Sequence, residues 1–285
     1  MAHAATRVRT RRSDVGAWEM AEAPPAPQLA GLVRSYTGFV ERAAQPLRRL
    51  EASSPTPVLI LNFGAPLEVS APGRTARVHT DSFFARVSHL PATTEFTGVS
   101  AGIQVDFTPL GAYLFCGHPM DELPDPALGM TELLGPDGRR LTEMVEAAPG
   151  WNARFDLLDA EIMRRVGGAR PPTPSVAWAW GRLEACSGRV EIGRLSDALG
   201  CSPKHLILGF RQEIGVTPKV AARILRFQRA TRRAREPGPV NLARVAADCG
   251  YHDQAHMARE FRALAGTTPS AYVTASLPGY LGIAG

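Results

Sequence analysis

Lysine is almost missing from this chain: of its 32 Lys and Arg residues, only Lys204 and Lys219 are Lys. The arginine bias by itself decides nothing about phosphate recognition. Cysteine is scarce too, and Cys116, Cys186, Cys201 and Cys249 show no CxxC or CxxxC spacing. That excludes a sequence-readable zinc or redox motif and leaves free buried thiols as the expectation. No long apolar run follows the basic stretch Met1–Arg12, so neither a signal peptide nor a membrane span is expected, and the expected location is cytoplasmic. A Gly-rich phosphate loop and a GxSxG elbow are both lacking. His79, His89 and His118 lack HxH spacing and have no Glu at a ligand offset. Cys116 near His118 reads as a core thiol rather than a nucleophile. The expectation is therefore no metal, no cofactor and no catalysis.

What is present describes a globular chain. At 285 residues it is long enough for two cores, with 45% hydrophobic and 21% charged residues. The net charge of +5 is uneven: residues 175–275 hold 15 Arg and Lys against 8 Asp and Glu, and the rest of the chain holds 17 against 19. A basic C-terminal third behind a slightly acidic body points to a polyanionic partner for that third. Solvated helix faces are the bland alternative.

Along the chain, residues 1–26 read as a flexible arm, basic first and then rich in Ala and Pro. Gln28–Arg34 reads as a short helix. From Ser35 to Phe107 the apolar spacing approaches two. Val58-Leu59-Ile60-Leu61 reads as a buried strand and Ile103-Gln104-Val105-Asp106-Phe107 as a half-buried one. Phe83, Phe84, Val87 and Leu90 belong to a further strand or hairpin. After Thr108-Pro109 the pattern turns helical, over Leu110–Cys116, Arg139–Glu146 and Ala153–Val166. In the last of these, Phe155, Leu158 and Ile162 either pair with a second copy of the chain or pack on their own sheet. Residues 167–174, Gly-Gly-Ala-Arg-Pro-Pro-Thr-Pro, read as a linker.

Beyond the linker one pattern occurs twice. Arg194-Leu195-Ser196-Asp197-Ala198-Leu199-Gly200, Phe210-Arg211 and Gly215-Val216-Thr217-Pro218 make the first copy. Arg244-Val245-Ala246-Ala247-Asp248-Cys249-Gly250, Phe261-Arg262 and Gly266-Thr267-Thr268-Pro269 make the second. Each is a helix, a glycine turn, a second helix and a Gly-x-Thr-Pro exit, the smallest unit that holds a helix in a DNA major groove. Ser202-Pro203, Thr217-Pro218 and Thr268-Pro269 each supply an N-cap hydroxyl followed by Pro at the first helical position. The helix opened by Pro218 should run to about Arg235, where Pro237-Gly238-Pro239 stops it. About eighteen residues at about 1.5 Å each make a rod of roughly 27 Å. Such a rod can hold two units one duplex turn apart, about 34 Å.

These residues resemble the AraC/XylS family of bacterial transcription regulators. The resemblance rests on Gly-Tyr-His-Asp-Gln-Ala-His-Met-Ala-Arg-Glu-Phe-Arg-Ala-Leu-Ala-Gly-Thr-Thr-Pro-Ser-Ala-Tyr at 250–272, and on Ser202-Pro203-Lys204-His205-Leu206, Phe210-Arg211, Gly215 and Thr217-Pro218. It implies an all-α seven-helix domain with two helix-turn-helix units over 175–275, behind an α+β regulatory, effector or dimerisation domain over 27–166, with a tail at 276–285. It also implies sequence-specific binding to double-stranded DNA by recognition helices near 203–214 and 253–265 in adjacent major grooves. RNA polymerase, a small-molecule effector and a homodimer partner are further candidate partners, and no membrane is.

The outward positions of the second unit nominate Gln254, His256 and Arg259 for base contacts and Arg262 for a phosphate, with Met257, Phe261 and Leu264 turned inward. Gln suits adenine and Arg suits guanine. In the first unit Leu206, Phe210 and Ile214 point inward. The base-contact candidates are Lys204, Ile207 and Leu208, with Lys204 equally able to hold a phosphate; His205 and Arg211 are phosphate candidates. Ile207 and Leu208 stand where relatives carry polar residues, so this helix either touches thymine methyl groups or grips only the backbone. Arg223, Arg226, Arg229, Arg232 and Arg233 on the connecting helix read as mostly structural or long-range electrostatic, with one or two able to reach a phosphate. The effector site is unknown: Val58, Ile60, Phe84, Val105, Phe107 and Tyr113 line either a pocket or an ordinary core. A small-molecule-modifying enzyme and a pure dimerisation module remain alternatives for the first domain.

Overall fold

A few long strands, partly alternating in burial, build the first half of the protein. In the computed structural model, which describes residues 6–13, 16–71, 77–79, 82–123, 127–236, 238, 240–275 and 283–284, the strands are β1 (Arg7–Ser13), β2 (Gly16–Ala23), β3 (Val33–Glu51), β4 (Val58–Asn62), β5 (Leu67–Ser70), β6 (Arg77–His79), β7 (Phe83–Ala85), β8 (Ala92–Phe107), β9 (Ala127–Gly129) and β10 (Ile283–Ala284). They join one antiparallel sheet in the order β1-β2-β3-β8-β4-β7-β9, with β5 on β8, β6 on β5 and β10 on β3. β3 and β8 form its spine. Their register breaks after Ala43↔Gly98 and resumes at Leu47↔Phe96. Pro46, which has no N–H to give, lies in the break.

Two expectations fail here. Residues 7–23 are a β-hairpin rather than an arm, and a single 3-10 turn (Pro27–Leu29) followed by β3 replaces the helix at 28–34. Residues 1–5, and 276–282 of the tail, lie outside the described residues, as do Pro237 and Pro239.

One face of the sheet packs on helices. After β8 come α1 (Pro109–Cys116), then α2 (Met130–Leu134), α3 (Pro136–Ala147) and α4 (Gly150–Gly167). Tyr36, Leu59, Leu61, Phe84, Ile103, Val105 and Phe107 share a core with Phe115, Phe155, Leu158 and Ile162. Phe155, Leu158 and Ile162 are 0% exposed. The sheet takes them, so they are not the face on which a second copy pairs. Asp159 of α4 accepts from the Tyr36 hydroxyl (2.7 Å) and from the Ala26 N–H (3.1 and 3.2 Å), and Tyr36 stacks on Phe155 at 5.5 Å. Burial and this carboxylate push the Tyr36 hydroxyl pKa upward, so it stays a donor.

Trp151 of α4 packs directly against Gly38 of β3. A Cβ there would sit 2.4 Å from the Trp151 ring, which is held by its Nε1–H donating to Glu19 (2.9 Å) and by Arg154 at 5.0 Å. Gly38→Ala should therefore cost about 1–3 kcal/mol of stability through overpacking. Urea unfolding measures this, and an unchanged midpoint would mean that Trp151 yields freely.

The opposite face of the sheet carries the alternate residues, among them Phe39, Glu41, Val58, Ile60, Ser100, Gln104 and Asp106. They line a cavity of about 860 Å³. Period-two geometry thus divides the six residues read as pocket or core. Val58 and Ile60 line the cavity, whereas Phe84, Val105 and Phe107 are core and Tyr113 packs against that core.

Seven helices follow: α5 (Pro174–Ala185), α6 (Ile192–Leu199), α7 (Pro203–Ile214), α8 (Pro218–Ala234), α9 (Leu242–Asp248), α10 (Gln254–Ala265) and α11 (Pro269–Thr274). Phe210, Phe227, Phe261 and Trp180 centre a second core, which Val87 joins from the sheet side and against which Leu50, Ala52 and Leu110 pack.

Candidate nucleic-acid interface

Local capping chemistry builds both helix pairs. In the first, α6 ends at Gly200 in the left-handed region (φ 60°), which a side chain would strain, and Ser202 caps α7 by accepting the His205 N–H at 3.2 Å. In the second, α9 is followed by Gly250 (φ 78°), and Asp253 caps α10 by accepting the His256 N–H at 2.6 Å. That bond, with the neighbouring His252, holds the Asp253 carboxyl below the usual carboxylate range. Thr217 and Thr268 cap α8 and α11 in the same way, each followed by Pro. The cap at Asp253 is absent from the sequence reading. Asp at a helix start, three residues before a main-chain donor, is the signal that finds it.

The inward and outward faces separate cleanly. Leu206, Phe210 and Ile214 of α7, and Met257, Phe261 and Leu264 of α10, are fully or nearly fully buried. Lys204, His205, Leu208 and Arg211 are exposed on α7, with Ile207 half-buried beside them. Gln254, Ala255, Arg259 and Arg262 are exposed on α10. Leu208 is 53% exposed, far more than a core leucine. His256 behaves differently from its neighbours. It is half-buried, its ring meets Tyr251 edge-on at 5.4 Å, and its Nδ1 accepts the His252 N–H at 3.4 Å, so it braces the turn.

The connecting helix α8 is tied to the second unit by its arginines. Arg223 grips Glu260 of α10 through Nε to Oε2 (3.0 Å) and Nη2 to Oε1 (2.9 Å), a bidentate pair. Arg233 donates to Asp248 of α9 at 2.9 Å and lowers that carboxyl's pKa, and it also bonds Glu236. Arg226 lies over the Tyr251 ring at 5.6 Å. Arg232 is exposed on the rod. The structural reading of these arginines thus acquires named partners for Arg223, Arg226 and Arg233. On the first unit, buried Glu213 of α7 accepts from the Thr173 N–H (3.0 Å) and hydroxyl and pins the approach to α5.

Burial pushes the Cys116 and Cys249 thiols up, away from the thiolate that redox or nucleophilic reactions use. Among the described residues no three His, Cys, Asp or Glu side chains gather as a metal site, and no helix is long and apolar enough to cross a membrane.

Residues 195–275 match the family described as helix-turn-helix domain. No curated protein sequence matches the chain. Among solved structures, ToxT from Vibrio cholerae is similar at 9% identity and a TM-score of 0.50, over 85% of this chain and 98% of that one. A single-residue variant of apo ToxT from Vibrio cholerae strain SCE256 is similar at 10% identity, with a TM-score of 0.49, over 84% and 97%. A probable AraC family transcriptional regulator from Rhodopseudomonas palustris CGA009 shares 25% identity over 36% of this chain and 96% of its own, with a TM-score of 0.33. The ToxT likeness is one of fold: a strand-rich first part followed by helices. Residues 195–275 thus match a helix-turn-helix domain of the AraC type.

Proposed function

We propose that α7 and α10 enter adjacent major grooves of one duplex and that the sheet region, residues 27–166 with the hairpin before it, regulates this binding. The observation that carries the reading is the doubled geometry: two capped turns, each presenting an exposed helix face, joined to one helix, α8. Gln254 and Arg259 read bases, Arg262 holds a phosphate, and His256 braces the turn. On α7, Lys204, His205 and Arg211 face phosphates, while exposed Leu208 and its neighbour Ile207 meet thymine methyl groups. Such a protein works in the cytoplasm, where its operator is.

The cavity serves as the regulatory element. Gln228 of α8, Arg235 at its C-cap and Tyr272 of α11 line it together with the strands. A small molecule held there touches both parts of the protein at once.

Selection of binding sites from random duplexes, followed by footprinting, tests the DNA reading. The expected site is bipartite, with two protected major-groove patches one turn apart. A site with one specific half would reduce α7 to backbone contact, and no enrichment at low salt would sink the proposal. On the selected site Arg211→Ala should weaken specific and random duplexes alike. It should also lower the slope of log K against log salt by about 1, since one released counterion is lost. A titration at four salt concentrations measures that slope.

A further inference from the structure

A helix leaves its last carbonyls without partners inside the helix. Here the sheet region supplies partners to both recognition helices at that end. The Met120 N–H, just beyond α1, donates to the Gln212 carbonyl of α7 at 2.7 Å. Arg86, just beyond β7, reaches the carbonyl of Gly215, the α7 C-cap, at 3.4 Å. The Ser53 N–H, just beyond β3, donates to the Leu264 carbonyl of α10 at 2.7 Å. Ser53 is buried, and its own carbonyl accepts from the Gln228 side chain of α8 at 2.9 Å, so this one residue ties α10 and α8 to the sheet. Packing follows the hydrogen bonds: Pro91 and Leu50 lie against Gly266, and Met120 against Gly215.

These holds have a direction. They lie at the C-terminal ends of α7 and α10, whereas Lys204, His205, Gln254 and Ala255 at the N-terminal ends are exposed. The sheet therefore does not cover the faces that meet DNA. What it does is connect two helices that both pack on α8. Two units on one rod can rock about it, and a second connection removes that freedom. β3 and β7 are separated by β8 and β4 in the sheet, so the holds come from different strands.

We infer that the sheet region is a second spacer, which, with α8, sets the distance and rotation between the two recognition helices and so makes DNA binding selective for half-site spacing. Ser53, Arg86, Met120 and Gln228 are its positioning residues. The inference rests on the two-groove reading above. One base pair of insertion moves a half-site by about 3.4 Å and turns it by roughly 34–36° around the duplex. Base-edge hydrogen bonds held by two fixed helices do not survive that shift, and those held by two rocking helices do.

The test uses the full chain and the selected operator, with the half-sites as found or moved by one base pair in either direction. The wild type should prefer the native spacing by at least about tenfold, in the range that a lost base contact costs. Arg86→Ala with Gln228→Ala should reduce that preference to within about threefold and leave the affinity for single half-site duplexes unchanged. Gln228→Leu alone keeps the side chain's bulk, loses only the donor and should give an intermediate preference; it stands in if the double variant unfolds. A preference unchanged in both variants would show that α8 alone sets the spacing and overturn the inference. Tighter binding of the variants to every duplex would also overturn it, since the contacts would then be an inhibitory clamp. Failure of the two-groove reading looks different: the wild type would select no bipartite operator at all, and the spacer would fall with it.

Discussion

Arg259→Ala should lower affinity for the selected operator by about 5- to 150-fold, from the loss of about 1–3 kcal/mol at one base pair, and leave random duplexes nearly untouched. Arg259 is exposed on the outward face of α10, about 1.4 turns beyond Gln254 at the helix start. It sits on the half of the helix that a groove-bound unit turns toward base edges. Its planar fork suits guanine N7 and O6, and alanine at that position has nothing to replace it. In an operator library the loss should therefore concentrate at one position, where all four bases become nearly equivalent. Arg262, one turn further on, makes the control. If it holds a phosphate, Arg262→Ala weakens specific and random DNA by the same factor and lowers the salt slope. Equal losses on both kinds of DNA for Arg259→Ala would move it to the backbone and leave Gln254 as the base reader of α10. The comparison needs one salt concentration throughout, because the phosphate contribution changes steeply with it.

The helical half was legible because its signals are local. A Ser or Thr before Pro caps a helix whatever lies around it, and Gly200, Gly215, Gly250 and Gly266 all occupy the left-handed region where a side chain is strained. Boundaries read from those residues agree with α7, α8, α10 and α11 to within a residue or two. The hairpin β1–β2 was not legible in the same way. β1 is an edge strand with an exposed Val8 and a row of arginines, so it has no buried face to impose alternation, and its charges read as an arm. The cavity was hidden for another reason. Apolar residues are the markers expected of it, but on β8 the apolar set Ile103, Val105 and Phe107 faces the helices while Gln104 and Asp106 face the cavity. The alternation was visible in the sequence. Which face would be covered depended on α1 and α4, which arrive later in the chain, and no local pattern carries that.

The same logic makes Phe261 the residue on which the second unit's fold depends. It is 0% exposed, and it meets Phe227 of α8 at 4.9 Å and Tyr272 of α11 at 5.8 Å, both edge-on. Three rings from three helices thus lock α10 against the rod, next to the Arg223–Glu260 pair. Phe261→Ala should cost about 3–5 kcal/mol, the burial of the ring plus the cavity left behind. For a cooperative unit of about 100 residues that is a fall in Tm of more than about 10 °C. Calorimetry should show the fall in the helical region's transition, and the sheet region should follow only as far as the Ser53 and Met120 contacts couple the two. Leu208→Ala is the matching control on α7: with half its side chain already in solvent, it should change stability by less than about 0.5 kcal/mol. It should still alter operator preference if the leucine touches thymine methyl groups. A small Tm change for Phe261→Ala together with a large one for Leu208→Ala would invert the inward and outward faces, and the assignment of base contacts would go with them.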